Sequence, residues 1–266
     1  MTTEDLYLDL LIKSLTDTTD DEKEHFISKK VIGINTINKL LKPFNYEICK
    51  KRIINKANGG LDRKIHAPNA TSLIGRSRMN CIKECYDIIN KENIEGDILE
   101  AGVWKGGATI FMNALLKVNN DQTRKVYAAD SFEGCPPATL EEDKEDKYSE
   151  FTFLQAGIDL VKSNFKKYNL LNDNVFFLKG WFKDTLPDAP FTKLSLIRAD
   201  GDMYESTMDI LENTYHKLSV GGFVLIDDYG AIEACKKVVD DFRRDKNIND
   251  EIIKVDWTGV YWRKSA

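Results

Sequence analysis

The sequence predicts an α/β protein built on a doubly wound, mostly parallel seven-stranded sheet, with a helical segment ahead of it. Three observations carry this expectation. Five short apolar runs alternate with helix-length segments between residues 97 and 245, as β-α units feeding one parallel sheet do. Four of those runs end in acids: Glu100, Asp130, Asp200 and the pair Asp227-Asp228. Two further short runs, split by Thr258-Gly259, read as a closing hairpin.

The elements follow in order. Residues 6–12 give a short apolar helix, and residues 31–44 a second, ending near Pro43. Residues 56–68 contain Gly59-Gly60 and Pro68 and read as a loop. From Ser72 onward, Ile74, Met79, Ile82, Cys85, Tyr86 and Ile89 share one helical face. Residues 97–103 form a buried strand running into a glycine turn, and 109–117 a helix. Residues 125–130 are a second strand, 141–148 a charged, loop-like insertion, and 158–168 a helix. Third and fourth strands occupy 175–178 and 194–200. The helix over 206–218 carries an apolar stripe at Met208, Leu211, Tyr215 and Leu218, and Gly221-Gly222 closes it. Residues 223–228 are the fifth strand, 231–245 a helix, and 252–256 with 260–263 the hairpin. The chain thus divides into a helical segment over 1–70 and a sheet domain over 71–266, with no internal repeat.

Composition removes several function classes. With 42% hydrophobic and 30% charged residues, the 266-residue chain suits a folded globular protein and not a disordered one. A net charge of -5, with only short basic stretches such as Lys50-Lys51-Arg52, argues against a nucleic-acid partner. The five cysteines form no CxxC pair, and the histidines are His25, His66 and His216, so the cysteines read as reduced, buried thiols and not zinc ligands. No apolar stretch approaches the ~20 residues of a membrane span, and the first residues lack a signal-peptide pattern. A cytoplasmic protein acting on a small molecule is the expectation.

The chemistry gathers at the strand ends. In an open parallel sheet, ligands bind beyond the carboxyl ends of the strands, near the point where strand order reverses. The first turn, Glu100-Ala101-Gly102-Val103-Trp104-Lys105-Gly106-Gly107, is not GxGxxG. Its spacing suits adenosylmethionine, which has no pyrophosphate to seat on a helix N-terminus. Asp130 is placed to accept two ribose hydroxyls, a role shared by dinucleotide enzymes, so it does not choose between cofactors. Asp200-Gly201-Asp202 ends the fourth strand and Asp227-Asp228 the neighbouring fifth. Carboxylates packed so closely repel unless a cation compensates, and a hard divalent ion, Mg²⁺ first, is the economical solution. Such an ion could bind two adjacent hydroxyls and lower the pKa of one, while a nearby acid removes the proton. A nicotinamide-dependent oxidoreductase and a non-catalytic binding module on the same scaffold are the rival readings.

Several stretches then match one family in order. They are Leu73-Ile74-Gly75-Arg76-Ser77-Arg78, the turn from Leu99 to Gly107, and Ala129-Asp130-Ser131-Phe132-Glu133-Gly134. Gly180-Trp181-Phe182-Lys183-Asp184-Thr185-Leu186-Pro187 and Asp200-Gly201-Asp202-Met203-Tyr204-Glu205-Ser206-Thr207 continue the series. Gly221-Gly222-Phe223, Asp227-Asp228-Tyr229 and Gly259-Val260-Tyr261-Trp262 complete it. The chain resembles the macrocin O-methyltransferase family, which includes sugar methyltransferases of macrolide and aminocoumarin pathways. The resemblance implies a class I methyltransferase fold, S-adenosylmethionine and Mg²⁺, and with the chelation of two adjacent hydroxyls argued above the leading expectation is methyl transfer to a hydroxyl of a vicinal diol on a sugar. It implies Asp200, Asp227 and Asp228 as metal ligands and Asp202 as general base. Glu100, Gly102, Asp130, Ser131 and Trp181 match cofactor positions, and Leu73 with Ile74 matches a contact for the methionine end. Trp104, Gly106, Gly180 and Asp200 join them as cofactor candidates. Residues 1–70 are similar to the family's lid and dimer-forming part, which implies a homo-oligomer.

Overall fold

A computed structural model describes residues 2–18, 34–44, 70–145 and 147–265. The first helix, α1 (Thr3–Leu15), opens with a capping box. The Asp5 amide donates to the Thr2 hydroxyl and the Thr2 amide to the Asp5 carboxylate, each at 3.1 Å. Helix α2 (Ile34–Leu41) gives way to a 3-10 turn at Lys42–Phe44, where Pro43 has no N–H with which to continue it. The loop expected over 56–68 lies outside the described residues.

Helix α3 (Arg76–Lys91) starts later than Ser72. The backbone N–H groups of Thr71 and Ser72 donate to the Leu15 carbonyl at 2.9 and 3.0 Å, so this stretch is tied to the end of α1 before the helix begins.

The α/β part then runs β1 (Asp97–Ala101), α4 (Gly107–Val118), β2 (Val126–Asp130), α5 (Ile158–Lys167) and β3 (Val175–Lys179). It continues through the single turn α6 (Phe182–Thr185), β4 (Leu194–Ala199), α7 (Tyr204–Thr214), β5 (Leu218–Ile226) and α8 (Glu233–Asp245) to β6 (Ile253–Lys254) and β7 (Val260–Arg263). Among the described residues the strands form one seven-stranded sheet in the order β3-β2-β1-β4-β5-β7-β6. Strands β1 to β5 are parallel, and β7 joins them antiparallel. The expected doubly wound sheet and closing hairpin are both present.

Period two along the strands builds a core on each face. Leu196, Phe223 and Leu225 pack on one side with α3, α4 and α1, whose Leu8, Leu11, Ile12 and Leu15 are buried there. Ile197, Val224 and Ile226 pack on the other with α7 and α8. Trp262 is fully buried in that second core. No helix among the described residues is long and apolar enough to cross a membrane.

Strand order reverses between β1 and β4, and the two strand ends touch there. Gly102 sits at φ +94°, and a Cβ on it would lie 1.9 Å from the Asp200 carbonyl oxygen. Only glycine permits that approach, which closes the floor of the site.

Candidate active site

A cavity of about 490 Å³ opens above the carboxyl ends of β1, β2, β4 and β5. Its size is that of a small-ligand site. Leu73, Gly102, Trp104, Asp130, Ser131, Gly180 and Trp181 line one part of it, and Asp200, Asp202, Asp227 and Asp228 another. Most of the residues singled out in the sequence therefore meet in one place. Ile74, Glu100 and Gly106 do not line it. Ile74 is buried in the core beneath α3. A Cβ on Gly106 would meet Val161 of α5 at 2.9 Å, so this glycine serves helix packing. Glu100 is 1% exposed, and its carboxylate accepts from the Thr109 hydroxyl and the Arg198 guanidinium. Burial pushes its pKa up to about 7, although Arg198 and Thr109 work the other way.

Asp130 is held in place by backbone. Its Oδ2 accepts from the amides of Val103 (2.6 Å) and Trp104 (3.2 Å), and its Oδ1 from the amide of Phe132 (2.7 Å). Burial raises its pKa against those donors. Ser131 donates to the Gly134 carbonyl at 2.7 Å. Three non-glycine residues at these strand ends, Trp104, Phe132 and Asp202, have φ of +47°, +57° and +55°. Backbone strain of this kind concentrates where a site needs it.

The acidic part is organised by two arginines, Arg198, which has no local motif, and Arg78, which ends the Leu73-to-Arg78 stretch. Arg198, on β4 and 3% exposed, donates to Glu100 at 2.6 Å, Asp200 at 2.8 Å and Asp227 at 2.6 Å. Arg78, on α3, donates to Asp227 and, through Nε at 3.0 Å, to Asp256 in the hairpin turn. Both oxygens of Asp227 thus face a guanidinium. Burial alone would raise its pKa, but Arg198 and Arg78 outweigh it and hold Asp227 low. Asp228 is pushed well up by burial and then by Asp202, Asp200 and Asp227. Asp200 is raised by burial and by Asp227, against the pull of Arg198, and it accepts a hydrogen bond from Asp228.

One ligand oxygen or equivalent from each of Asp200, Asp202 and Asp228 lies within 4.8 Å of the others. The trio that converges therefore contains Asp202, whereas Asp227, expected among the ligands, is committed to the arginines. Carboxylate oxygens carry further lone pairs, so the arginine contacts leave Asp227 able to accept more. The donor set is all oxygen and fits a hard divalent cation.

Sequence reasoning missed other lining residues. Cys135 donates its thiol to Asp202 Oδ2 at 3.5 Å, and burial and then Asp202 push its pKa up. Glu205 and Asp209, one turn apart on α7, also line the cavity, as do Trp257 and Thr258 of the hairpin turn. Only the i, i+4 spacing of the first pair could have signalled them. Among the described residues the one histidine, His216, sits on a 3-10 turn and does not line the cavity.

Comparison with known proteins decides the family. The model of macrocin-O-methyltransferase (TylF) matches residues 4–264. The chain belongs to the macrocin O-methyltransferase family. It is 38% identical over 264 residues to demethyldecarbamoylnovobiocin O-methyltransferase of Streptomyces niveus, covering 98% of this chain and 94% of that one. It is 46% identical over 201 residues to 8-demethyl-8-(2,3-dimethoxy-alpha-L-rhamnosyl)-tetracenomycin-C 4'-O-methyltransferase of Streptomyces olivaceus, covering 74% and 77%. Mycinamicin III 3''-O-methyltransferase of Micromonospora griseorubida is 44% identical over 203 residues, covering 74% and 80%. The solved structure of the O-methyltransferase NovP superposes with a TM-score of 0.84 at 36% identity, over 99% of this chain and 100% of that one. The protein is an S-adenosylmethionine-dependent O-methyltransferase. Membership of this family removes the nicotinamide reading.

Proposed function

We propose that this macrocin-family enzyme methylates one hydroxyl of a vicinal diol on the sugar of a glycosylated natural product, with the help of a divalent cation. The relatives support the acceptor class: one is named for methylating a rhamnosyl-bearing tetracenomycin, and two others for methylating mycinamicin III and demethyldecarbamoylnovobiocin. The observation that carries the metal is the convergence of carboxyl groups on the cavity within 4.8 Å. Mg²⁺ fits that donor set first.

Asp200, Asp227 and Asp228 would hold the cation, and Arg198 and Arg78 orient Asp227 for it as outer partners orient a ligand. When bound, the cation lowers the pKa of a chelated hydroxyl and adenosylmethionine supplies the methyl group. Asp202, held in a left-handed conformation beside the ligands, accepts the hydroxyl proton at a carboxylate oxygen. The part of the cavity lined by Leu73, Gly102, Asp130 and Trp181 binds the methyl donor. The enclosing wall excludes water and keeps the two reactants in line.

One observation favours a second reading. Asp202 is itself within the convergent trio, which would suit a ligand, with Asp227 left as an arginine-held support. The reading of acceptor and metal is tested together by a screen of desmethyl sugar glycosides with adenosylmethionine, followed by mass spectrometry. Gain of one methyl by a diol-bearing glycoside, lost with EDTA and restored by Mg²⁺, is expected. Turnover undiminished by EDTA would sink the metal, and methylation confined to non-sugar hydroxyls would sink the acceptor class.

A further inference from the structure

Helix α7 starts directly after the turn that carries Asp200 and Asp202. Its first residues cannot be capped locally, because Met203 before it has no side-chain acceptor. The missing acceptor comes from far upstream. Asp143, on a 3-10 turn at Glu141–Asp143, accepts from the Tyr204 amide at 2.7 Å and from the Glu205 amide at 3.0 Å, one oxygen for each. This carboxylate is 1% exposed. Its charge also suits the positive end of the helix, so the contact is stronger than a neutral hydrogen bond.

The segment that Asp143 anchors is also a wall of the cavity. Cys135, Pro136, Pro137 and Thr139 line it just ahead of Asp143. Thr139 donates to Glu205, and Cys135 contacts Asp202. The same segment returns past Phe153, whose carbonyl accepts from the Trp104 indole N–H at 2.8 Å. The neighbouring Glu142, by contrast, makes a surface pair with Lys237 at 3.4 Å.

We infer that Asp143 is a positioning residue for the acceptor. By capping α7 from outside the helix, it fixes the distance between the wall over residues 135–139 and the turn bearing Asp202. An acceptor must fit between those two surfaces to present its hydroxyl. The inference rests on the reading of this end of the cavity as the acceptor end.

Hydrogen exchange with S-adenosylhomocysteine present reads the cap directly, and steady-state kinetics on a glycoside from the screen above reads its consequence. In Asp143→Ala, amides over 203–206 and 135–142 should exchange at least about tenfold faster, while those of α4 stay protected. Acceptor KM should rise by about tenfold or more with a smaller change in kcat, as expected when the two charge-assisted bonds of the cap are lost. Affinity for S-adenosylhomocysteine should hold within about twofold if binding of the donor is independent of the cap. Asp143→Asn keeps one carbonyl acceptor and should recover part of both effects, and Glu142→Ala should show neither. Unchanged exchange and KM in Asp143→Ala would overturn the inference, as would cofactor affinity falling in step with turnover. Should Asp143→Ala fail to fold, the exchange pattern of Asp143→Asn decides in the same way. If the wild-type enzyme methylates no glycoside, the acceptor reading fails while the exchange result still judges the cap.

Discussion

At the scale of single residues, the decisive question is how the carboxylates divide their work. Asp202 and Asp227 make opposite demands on an experiment. As a base, Asp202 can lose its charge without cost to the cation, so Asp202→Asn should reduce kcat by about 10²-fold or more while Mg²⁺ affinity in a calorimetric titration stays near wild type. Asp227→Asn should instead weaken Mg²⁺ binding by about 10-fold or more, as loss of a charged ligand does. The reverse pattern would make Asp202 the ligand and Asp227 the support. Glu100 offers a prediction about pH in the metal-free protein. Burial lifts its pKa from 4.5 to about 7 in the folded state. The folded state therefore holds this proton more tightly than the unfolded chain does. Stability from Glu100 is fully present below 4.5 and is lost as pH rises to about 7. Glu100→Gln does not titrate, so the wild-type stability minus that of Glu100→Gln should fall across this window and level off above it. A difference that rises with pH in urea titrations would show that Arg198 dominates over burial at this site.

Between elements, Arg198 links three strands, since Glu100 belongs to β1, Asp200 follows β4 and Asp227 follows β5. Removing it leaves buried carboxylates uncompensated, a change that costs about 3–5 kcal/mol where a buried pair is broken. Arg198→Met should lose stability on that scale in EDTA. Added Mg²⁺ should raise its melting temperature more than it raises that of the wild type, because a second cation then supplies part of the missing charge. Equal shifts in both proteins would separate the arginine from the metal site. The sequence disclosed the strands and their acidic ends, since short apolar runs, glycine turns and terminal carboxylates are all local patterns. It did not disclose Arg198, because an arginine between Ile197 and Ala199 has no local signature. Its role appears only when register sets it beside Glu100 on β1. Asp143 stayed hidden for the same reason. Residues 141–148 look like a polar loop until α7, distant in sequence, brings its N-terminus to them. Arg78 and Asp256 likewise meet across 178 residues of chain, so neither stretch alone predicts the contact.

For the whole molecule, the open matter is whether the N-terminal segment stands apart from the methyltransferase domain. Helix α1 argues that its first part does not. Leu15 is 0% exposed and shares one core with α3, α4 and the sheet. The Leu15 carbonyl accepts from Thr71 and Ser72, so the two parts of the chain are also joined by backbone. The sequence boundary near residue 70 marks a change in local pattern, and packing crosses it. Leu15→Ala should therefore destabilise the whole domain by about 2–5 kcal/mol, the cost of emptying a buried leucine site. All four tryptophans, Trp104, Trp181, Trp257 and Trp262, lie beyond residue 70, so their fluorescence reports the sheet domain alone. In a urea titration that signal should move to lower denaturant in Leu15→Ala and should coincide with loss of helical circular dichroism, as one cooperative transition requires. A tryptophan transition left in place, preceded by a separate loss of helix, would instead show α1 to be an appendage that the methyltransferase core can shed.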